Sequence, residues 1–234
     1  VAAAHVHLNN GVTLQLLDAA GNPTGITTLT DASGSYQFNN LQQGKYGIAE
    51  VQPIGYYDGT DTPGTAGGTA ENPGDRILNA MLMPGVNAVN YDFGELRPAS
   101  ISGTVHVDTD GDCLIDADEQ RLAGVTIYLL DGNGNRIGET QTSEDGTYFF
   151  TNLAPGEYPL EQVQPVEYST AGEHPGSAGG VVTADNFIRQ IVLTPGTAAF
   201  DYNFCEQHNG AISGYVFQDG DTIQLASVEE LNAS

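Results

Sequence analysis

"GVTIYLLDGNGNRIG", residues 124–138, is a short apolar run that ends in a turn. Val125, Thr126, Ile127 and Tyr128 are β-branched or aromatic and suit a pleated, half-buried surface. The run is too short for a stable helix and is followed by Asp131-Gly132-Asn133-Gly134, residues that tolerate positive φ and reverse the chain. The stretch therefore predicts a β-hairpin. Its Gly-x-Gly resembles a nucleotide-binding loop only superficially, since no helix pattern follows it and the nearby acids would repel phosphate.

The same pattern occurs earlier as "GVTLQLLDAAGNPTG", residues 11–25. Downstream, "TDASGSYQFNNLQQGKYGIAEVQP" (30–53) matches "TSEDGTYFFTNLAPGEYPLEQVQP" (142–165), and "MPGVNAVNYDFGE" (83–95) matches "TPGTAAFDYNFCE" (194–206). Val12 pairs with Val125, Tyr36 with Tyr148, Pro53 with Pro165 and Tyr91 with Tyr202, at separations of 111 to 113 residues. A unit of about 110 residues has been duplicated.

Within each copy, "SYQFNNL" and "TYFFTNL" place alternating aromatics after a glycine turn, as half-buried strands do. "NAVNYDF" and "AAFDYNF" alternate with period two and read as closing strands. Short strands broken by turn signals about every 8–12 residues predict an all-β chain of tandem antiparallel β-sandwiches. The expected divisions are residues 1–97, residues 98–207, and the opening of a third unit at 208–234.

Composition narrows the function. Thirty acidic residues face six basic ones, a formal net charge of −24. Such a surface repels nucleic acid and anionic lipid and attracts divalent cations. No apolar run reaches the length of a membrane span, so no membrane insertion is expected. "VAAAH" at the start lacks the charged and apolar regions of a signal peptide. Two cysteines, one lysine and no tryptophan fit an exported chain better than a cytosolic enzyme.

The densest acidic stretch is "DTDGDCLIDADE", residues 108–119. Asp108, Asp110, Asp112, Asp116 and Glu119 fall at positions 1, 3, 5, 9 and 12 of a twelve-residue loop, and Leu114 offers its carbonyl at position 7. Calcium takes six to eight hard oxygen ligands, and an EF-hand loop supplies them in this order. The departure is position 6, normally glycine, where Cys113 stands. A Cβ at positive φ costs about 1 kcal/mol or more, which predicts weaker calcium affinity. Copy one has no such loop. A weaker version opens the third unit, where Asp219, Asp221 and Glu230 hold positions 1, 3 and 12 but Ile223 and Ser227 interrupt the set.

This acidic string, followed by "LAGVTIYLLD", "DGTYFFTNLAPGEY" and "QP", resembles the calcium-binding B repeats of serine–aspartate-repeat surface proteins. It is also similar to the wider collagen-adhesin B-type domains, with their Ig-like or transthyretin-like β-sandwich. The resemblance covers nearly all of 98–205 and, more loosely, 11–95. "ISGTVHVD" and "ISGYVFQD" resemble the opening strand of that family. It implies stalk-like modules of exported bacterial proteins, extracellular or at the cell surface, that hold a head away from the surface or link subunits.

Several expectations follow. Strand one and the last strand of a seven-stranded sandwich end at the same pole, which brings Cys113 near Cys205. In an exported protein they would form a disulfide worth roughly 4 kcal/mol, the alternative being two free thiols. Some relatives carry a Lys–Asn isopeptide bond, but the single lysine, Lys45, sits where copy two has Glu157, so no such bond is expected. His5, His7 and His208 are read as exposed or packed side chains rather than a metal site. The terminal "NAS" (232–234) carries little weight as a glycosylation sequon. No catalytic constellation stands out, so the chain is read as non-enzymatic.

The expected role is a structural spacer rigidified by Ca2+, its partners being adjacent repeats or identical subunits. Two alternatives remain. Residues 211–218 repeat an opening strand and could complete a neighbouring copy by strand addition, giving a head-to-tail filament. The long loops "TDTPGTAGG" and "GEHPGSAGG", with Tyr56, Tyr57 and Tyr168, could instead bind a glycan or protein on a host or cell surface.

Overall fold

The computed structural model describes residues 9–216; His5, His7, Asp219, Asp221, Glu230 and the end of the 211–218 segment lie outside the described residues. The described chain is all-β, and among those residues no helix is long and apolar enough to cross a membrane. The first half runs β1 (Thr13–Leu17), β2 (Pro23–Leu29), β3 (Gly44–Glu50), β4 (Tyr57–Asp58), β5 (Thr69–Glu71), β6 (Arg76–Leu82) and β7 (Glu95–Leu96). The second half begins with β8 (Ala99–Val107), β9 (Thr126–Leu130), β10 (Arg136–Gln141), β11 (Thr147–Leu153), β12 (Gly156–Glu157) and β13 (Leu160–Gln162). It closes with β14 (Tyr168–His174), β15 (Val181–Ala184), β16 (Phe187–Arg189), β17 (Val192–Leu193), β18 (Ala198–Ala199) and β19 (Asn203–His208).

The duplication is visible in the ladders. The order β2-β1-β3-β6-β5 of the first half is repeated as β10-β9-β13-β16-β15 in the second. The hairpin at 124–138 forms as its residues require. Asp131 Oδ1 accepts the N–H groups of Asn133 and Asn135, and Gly134 turns at φ 86°. Alternate residues of β9 face inward, leaving Ile127 and Leu129 buried, as Leu14 and Leu16 are in β1. Buried apolar residues collect in two cores, one around Val12, Leu14, Ile77 and Tyr91, and a larger one around Ile101, Val105, Ile127, Tyr148 and Phe204.

The second sheet of the second half, β11-β8-β19-β14, departs from a purely antiparallel sandwich, because β8 and β19 run parallel. The first and last strands leave the same pole in the same direction and meet side by side. Their closeness depends on Gly103. A Cβ there would lie 1.7 Å from the Tyr202 carbonyl oxygen and 2.8 Å from the Tyr148 hydroxyl. That hydroxyl donates to the same carbonyl at 2.7 Å, and Tyr36 repeats the bond to Tyr91 at 2.7 Å.

The first half differs in one respect. Tyr36 to Phe38, expected as a strand, carries no ladder. Its counterpart β11 is held by β8, and the first-half equivalent of β8 would precede Asn9. "NAVNYDF" likewise contributes only the Asp92–Thr62 bridge before β7.

Candidate metal centre

The loop leaves β8 at Val107, whose side chain is buried in the larger core. Asp108 N–H donates to the Glu206 carbonyl at 2.8 Å, so the loop starts on the last strand's backbone. Its acids then fold it locally. Asp108 Oδ1 accepts Gly111 N–H at 2.8 Å and Oδ2 accepts Cys113 N–H at 3.1 Å. Asp110 Oδ1 accepts Asp112 N–H at 3.2 Å, and Asp112 Oδ1 accepts Leu114 N–H at 2.7 Å. Each bond turns the chain so that the next carboxylate faces the same space.

The result is a group of three. One carboxylate oxygen from each of Asp108, Asp110 and Asp112 lies within 4.8 Å of the others. Asp108 is buried while Asp110 and Asp112 face solvent. Asp116 and Glu119, at positions 9 and 12, stand outside this group. Burial, then the charges of Asp110 and Asp112, push the Asp116 carboxyl up. Glu119 is buried and turned to the backbone, its Oε1 accepting Thr109 N–H at 2.9 Å and its Oε2 accepting Asp116 N–H at 3.1 Å. Burial works against its charge, but those two N–H groups prevail and hold it below the ordinary carboxylate range. Its Oε2 also lies 3.5 Å from Nε2 of the fully buried His106. Leu114, at position 7, has a half-exposed side chain.

Cys113 occupies the left-handed region at φ 56°, the conformation that position 6 of such a loop demands. It is bonded to Cys205, 92 residues away, with Cα atoms 5.6 Å apart. Cys205 lies fully buried on β19, opposite His106 of β8. The loop is thus tied to the last strand by a covalent link at its sharpest bend.

Other residues singled out from the sequence are scattered. Lys45 is exposed on β3, opposite Met81. His208 sits against the Tyr168 ring, 5.1 Å between centroids. A second carboxylate group, Glu50, Asp75 and Glu95, was not anticipated. Its members come from β3, the turn before β6, and β7, and are joined by strand pairing rather than sequence proximity. Comparing the two copies residue by residue would have exposed it, because the corresponding positions of copy two include the amides Gln162 and Asn186.

The chain is similar to known proteins. The SdrD B-like domain model matches residues 7–94 and again residues 99–205. Serine-aspartate repeat-containing protein D of Staphylococcus aureus (strain Newman) is 28% identical over 212 residues, covering 90% of this chain and 16% of that protein. Serine-aspartate repeat-containing protein F of Staphylococcus epidermidis is also 28% identical, over 216 residues, covering 90% of this chain and 12% of its own length. The chain therefore spans less than a fifth of either relative. Among solved structures, the shaft pilin spaA of Lactobacillus rhamnosus GG aligns at 11% identity and a TM-score of 0.37, covering 88% of this chain and 90% of the pilin. GBS52, a minor pilin of Streptococcus agalactiae, aligns at 12% identity and a TM-score of 0.33, covering 89% of this chain and 88% of its own.

Proposed function

The chain belongs to the SdrD B-like domain family, and on that premise we propose that it is a non-enzymatic spacer of an exported bacterial surface protein, stiffened by calcium. Its units are residues 1–97 and 98–207, with 208–234 opening a third. The observation that carries this reading is the convergence of Asp108, Asp110 and Asp112 within 4.8 Å on a loop stapled to β19. Three carboxylates so close repel one another unless a cation lies between them. The donor set is all oxygen, hard and flexible, which fits calcium.

Asp108, Asp110 and Asp112 would hold the ion, with the Leu114 carbonyl, Asp116 and Glu119 completing its shell. When bound, calcium supplies charge neutralisation and ties oxygens from across the loop to one centre. The protein's own contribution is to pre-shape the bend. Cys113 sits at positive φ, held by the link to Cys205 and by its N–H bond to Asp108. The link and that bond hold the bend against its backbone strain. Because the loop joins the first strand to the rest of the sandwich, fixing it fixes β8 against β19. Linkage sets the scale: stabilisation is about 1.4 kcal/mol at ten times Kd and about 4 kcal/mol at a thousand times.

Calorimetric melting in calcium and then in chelator tests this. The Asp110→Asn/Asp112→Asn variant should lose the calcium-dependent rise of the second-half transition. A rise that persists in that variant removes the loop from the explanation.

A second reading, strand exchange between copies, has a specific observation behind it. Ala211–Val216 repeats the β8 sequence and places Gly214 where β8 needs Gly103. Ile212 and Val216, counterparts of the buried Ile101 and Val105, are fully exposed. Light scattering of the chain with and without residues 208–234 separates the readings: a large mass that falls on truncation supports exchange, and a monomer in both cases removes it.

A further inference from the structure

Each half of the chain leads into the following segment through a short joint, and the two joints are chemically unlike. Glu95 aligns with Glu206 and Ile101 with Ile212, so Arg97-Pro98-Ala99 stands opposite His208-Asn209-Gly210. The first joint is closed. Pro98 fixes its own φ and has no N–H, and the Arg97 carbonyl accepts Gly196 N–H at 3.1 Å. Ala99 is buried at the start of β8, opposite Leu153. The second joint is open. Asn209 and Gly210 are exposed, follow the end of β19 at His208 and lie in no ladder. A Cβ on Gly210 would meet nothing within 4 Å. Among the described residues, the Gly210 N–H donates to no backbone acceptor.

An asparagine followed by glycine can react with its own backbone. The glycine nitrogen gives up its proton and attacks the asparagine Cγ, so that a C–N bond forms and a five-membered imide closes. The bond from Cγ to the side-chain nitrogen breaks, and that nitrogen leaves as ammonia. Water then opens the ring at either carbonyl. One opening gives aspartate, and the other gives isoaspartate, whose main chain runs through the former side chain. The sum is amide plus water to carboxylate plus ammonium. Glycine favours the reaction because no Cβ blocks the approach and its backbone turns freely.

The chain has three such pairs, Asn10-Gly11, Asn133-Gly134 and Asn209-Gly210. The fold restrains the first two. Gly11 N–H donates to the Thr30 carbonyl at 2.9 Å. Gly134 N–H donates to the Asp131 carbonyl at 2.9 Å, and Asn133 N–H donates to Asp131 Oδ1 at 2.9 Å. A nitrogen held to a carbonyl within a fixed turn cannot swing towards the side chain before it. The third pair has no such hold.

We propose that Asn209-Gly210 is a self-modification site, converting to aspartate and isoaspartate in the folded chain while Asn10 and Asn133 are preserved. Conversion adds a carboxylate to a chain whose formal net charge is already −24. Isoaspartate also adds a methylene to the main chain between β19 and Ala211–Val216, the segment that repeats the β8 sequence. The first joint has no counterpart reaction, since Arg97 carries no amide and Pro98 no N–H. One joint of the chain therefore changes with age and the other does not.

The test is to incubate the full oxidised chain at neutral pH, follow it by peptide mapping with mass spectrometry, and assay released ammonia. The peptide holding Asn209 should gain the mass difference between amide and acid, with isoaspartate among its products and ammonia released in step. The Asn10 and Asn133 peptides should stay unchanged. In urea all three pairs should convert at similar rates, because the bonds that hold Gly11 and Gly134 are gone. Asn209→Gln requires a larger ring, and Gly210→Pro leaves no N–H to lose. Each should abolish ammonia release from the folded chain without shifting its melting temperature. A folded chain that keeps Asn209 as long as Asn10 and Asn133, or that loses all three at one rate, would overturn the proposal.

Discussion

Reducing the Cys113–Cys205 link should cost the second half a large share of its stability, and replacing Cys113 should cost measurably less. The link spans 92 residues, for which the loop-closure relation gives roughly 4.6 kcal/mol at room temperature. That is a large share of the stability of about 5–15 kcal/mol typical of a domain. Reduction leaves Cys113 at φ 56° with its Cβ still in place. The Cys113→Gly variant also lacks the link, but it adopts that conformation freely and recovers about 1 kcal/mol. Cys205 keeps its buried thiol in both cases, so no cavity confuses the comparison. The expected order in chelator is oxidised wild type, then Cys113→Gly lower by about 3.6 kcal/mol, then reduced wild type lower by about 4.6 kcal/mol. Urea unfolding followed by tyrosine fluorescence reads all three, since the chain has 11 Tyr and no Trp. A Cys113→Gly chain as stable as the oxidised wild type would refute the staple. Equal stability of that variant and the reduced wild type would refute the strain.

Gly103→Ala would place a Cβ 1.7 Å from the Tyr202 carbonyl oxygen, a contact that neither strand can yield to without breaking β8 from β19. A loss of about 3 kcal/mol or more is expected in the second-half transition, read by urea unfolding, while the first half is untouched. The first half should instead respond to pH in chelator. Burial, then the charge of Glu95, raises Glu50 from 4.5 to about 8, and burial raises Asp61 to about 6. Both folded values exceed the unfolded ones, so the folded state holds protons that the unfolded chain has released. The first half should therefore melt highest near pH 5 and lose stability as pH rises towards 8, and Glu50→Gln should flatten that slope.

Much of the fold was legible because its signals are local. The 124–138 hairpin needs only a β-branched run and an Asp-Gly-Asn-Gly turn, and both copies repeat it. The convergence of Asp108, Asp110 and Asp112 was equally local, since alternate residues of a tight loop turn inward. What escaped depends on partners far away in sequence. The parallel contact of β8 with β19 is set by Gly103 meeting Tyr202, about a hundred residues on. Tyr36 to Phe38 has the alternation of a strand, but a ladder needs a neighbour as well as a pattern. The bonds that the Glu119 carboxylate accepts from the N–H groups of Thr109 and Asp116 have no signal in the ligand spacing. Glu50 and Asp75 looked unremarkable one at a time. Pairing of β3 with β6, which sets Ala49 opposite Arg76, brings them together.

The most direct test of calcium stiffening is anomalous diffraction from crystals soaked in a lanthanide, which takes calcium's oxygen ligands. A peak about 2.4 Å from the carboxylate oxygens of Asp108, Asp110 and Asp112 is predicted. A clean map at that loop, in crystals that hold the ion elsewhere, would contradict it.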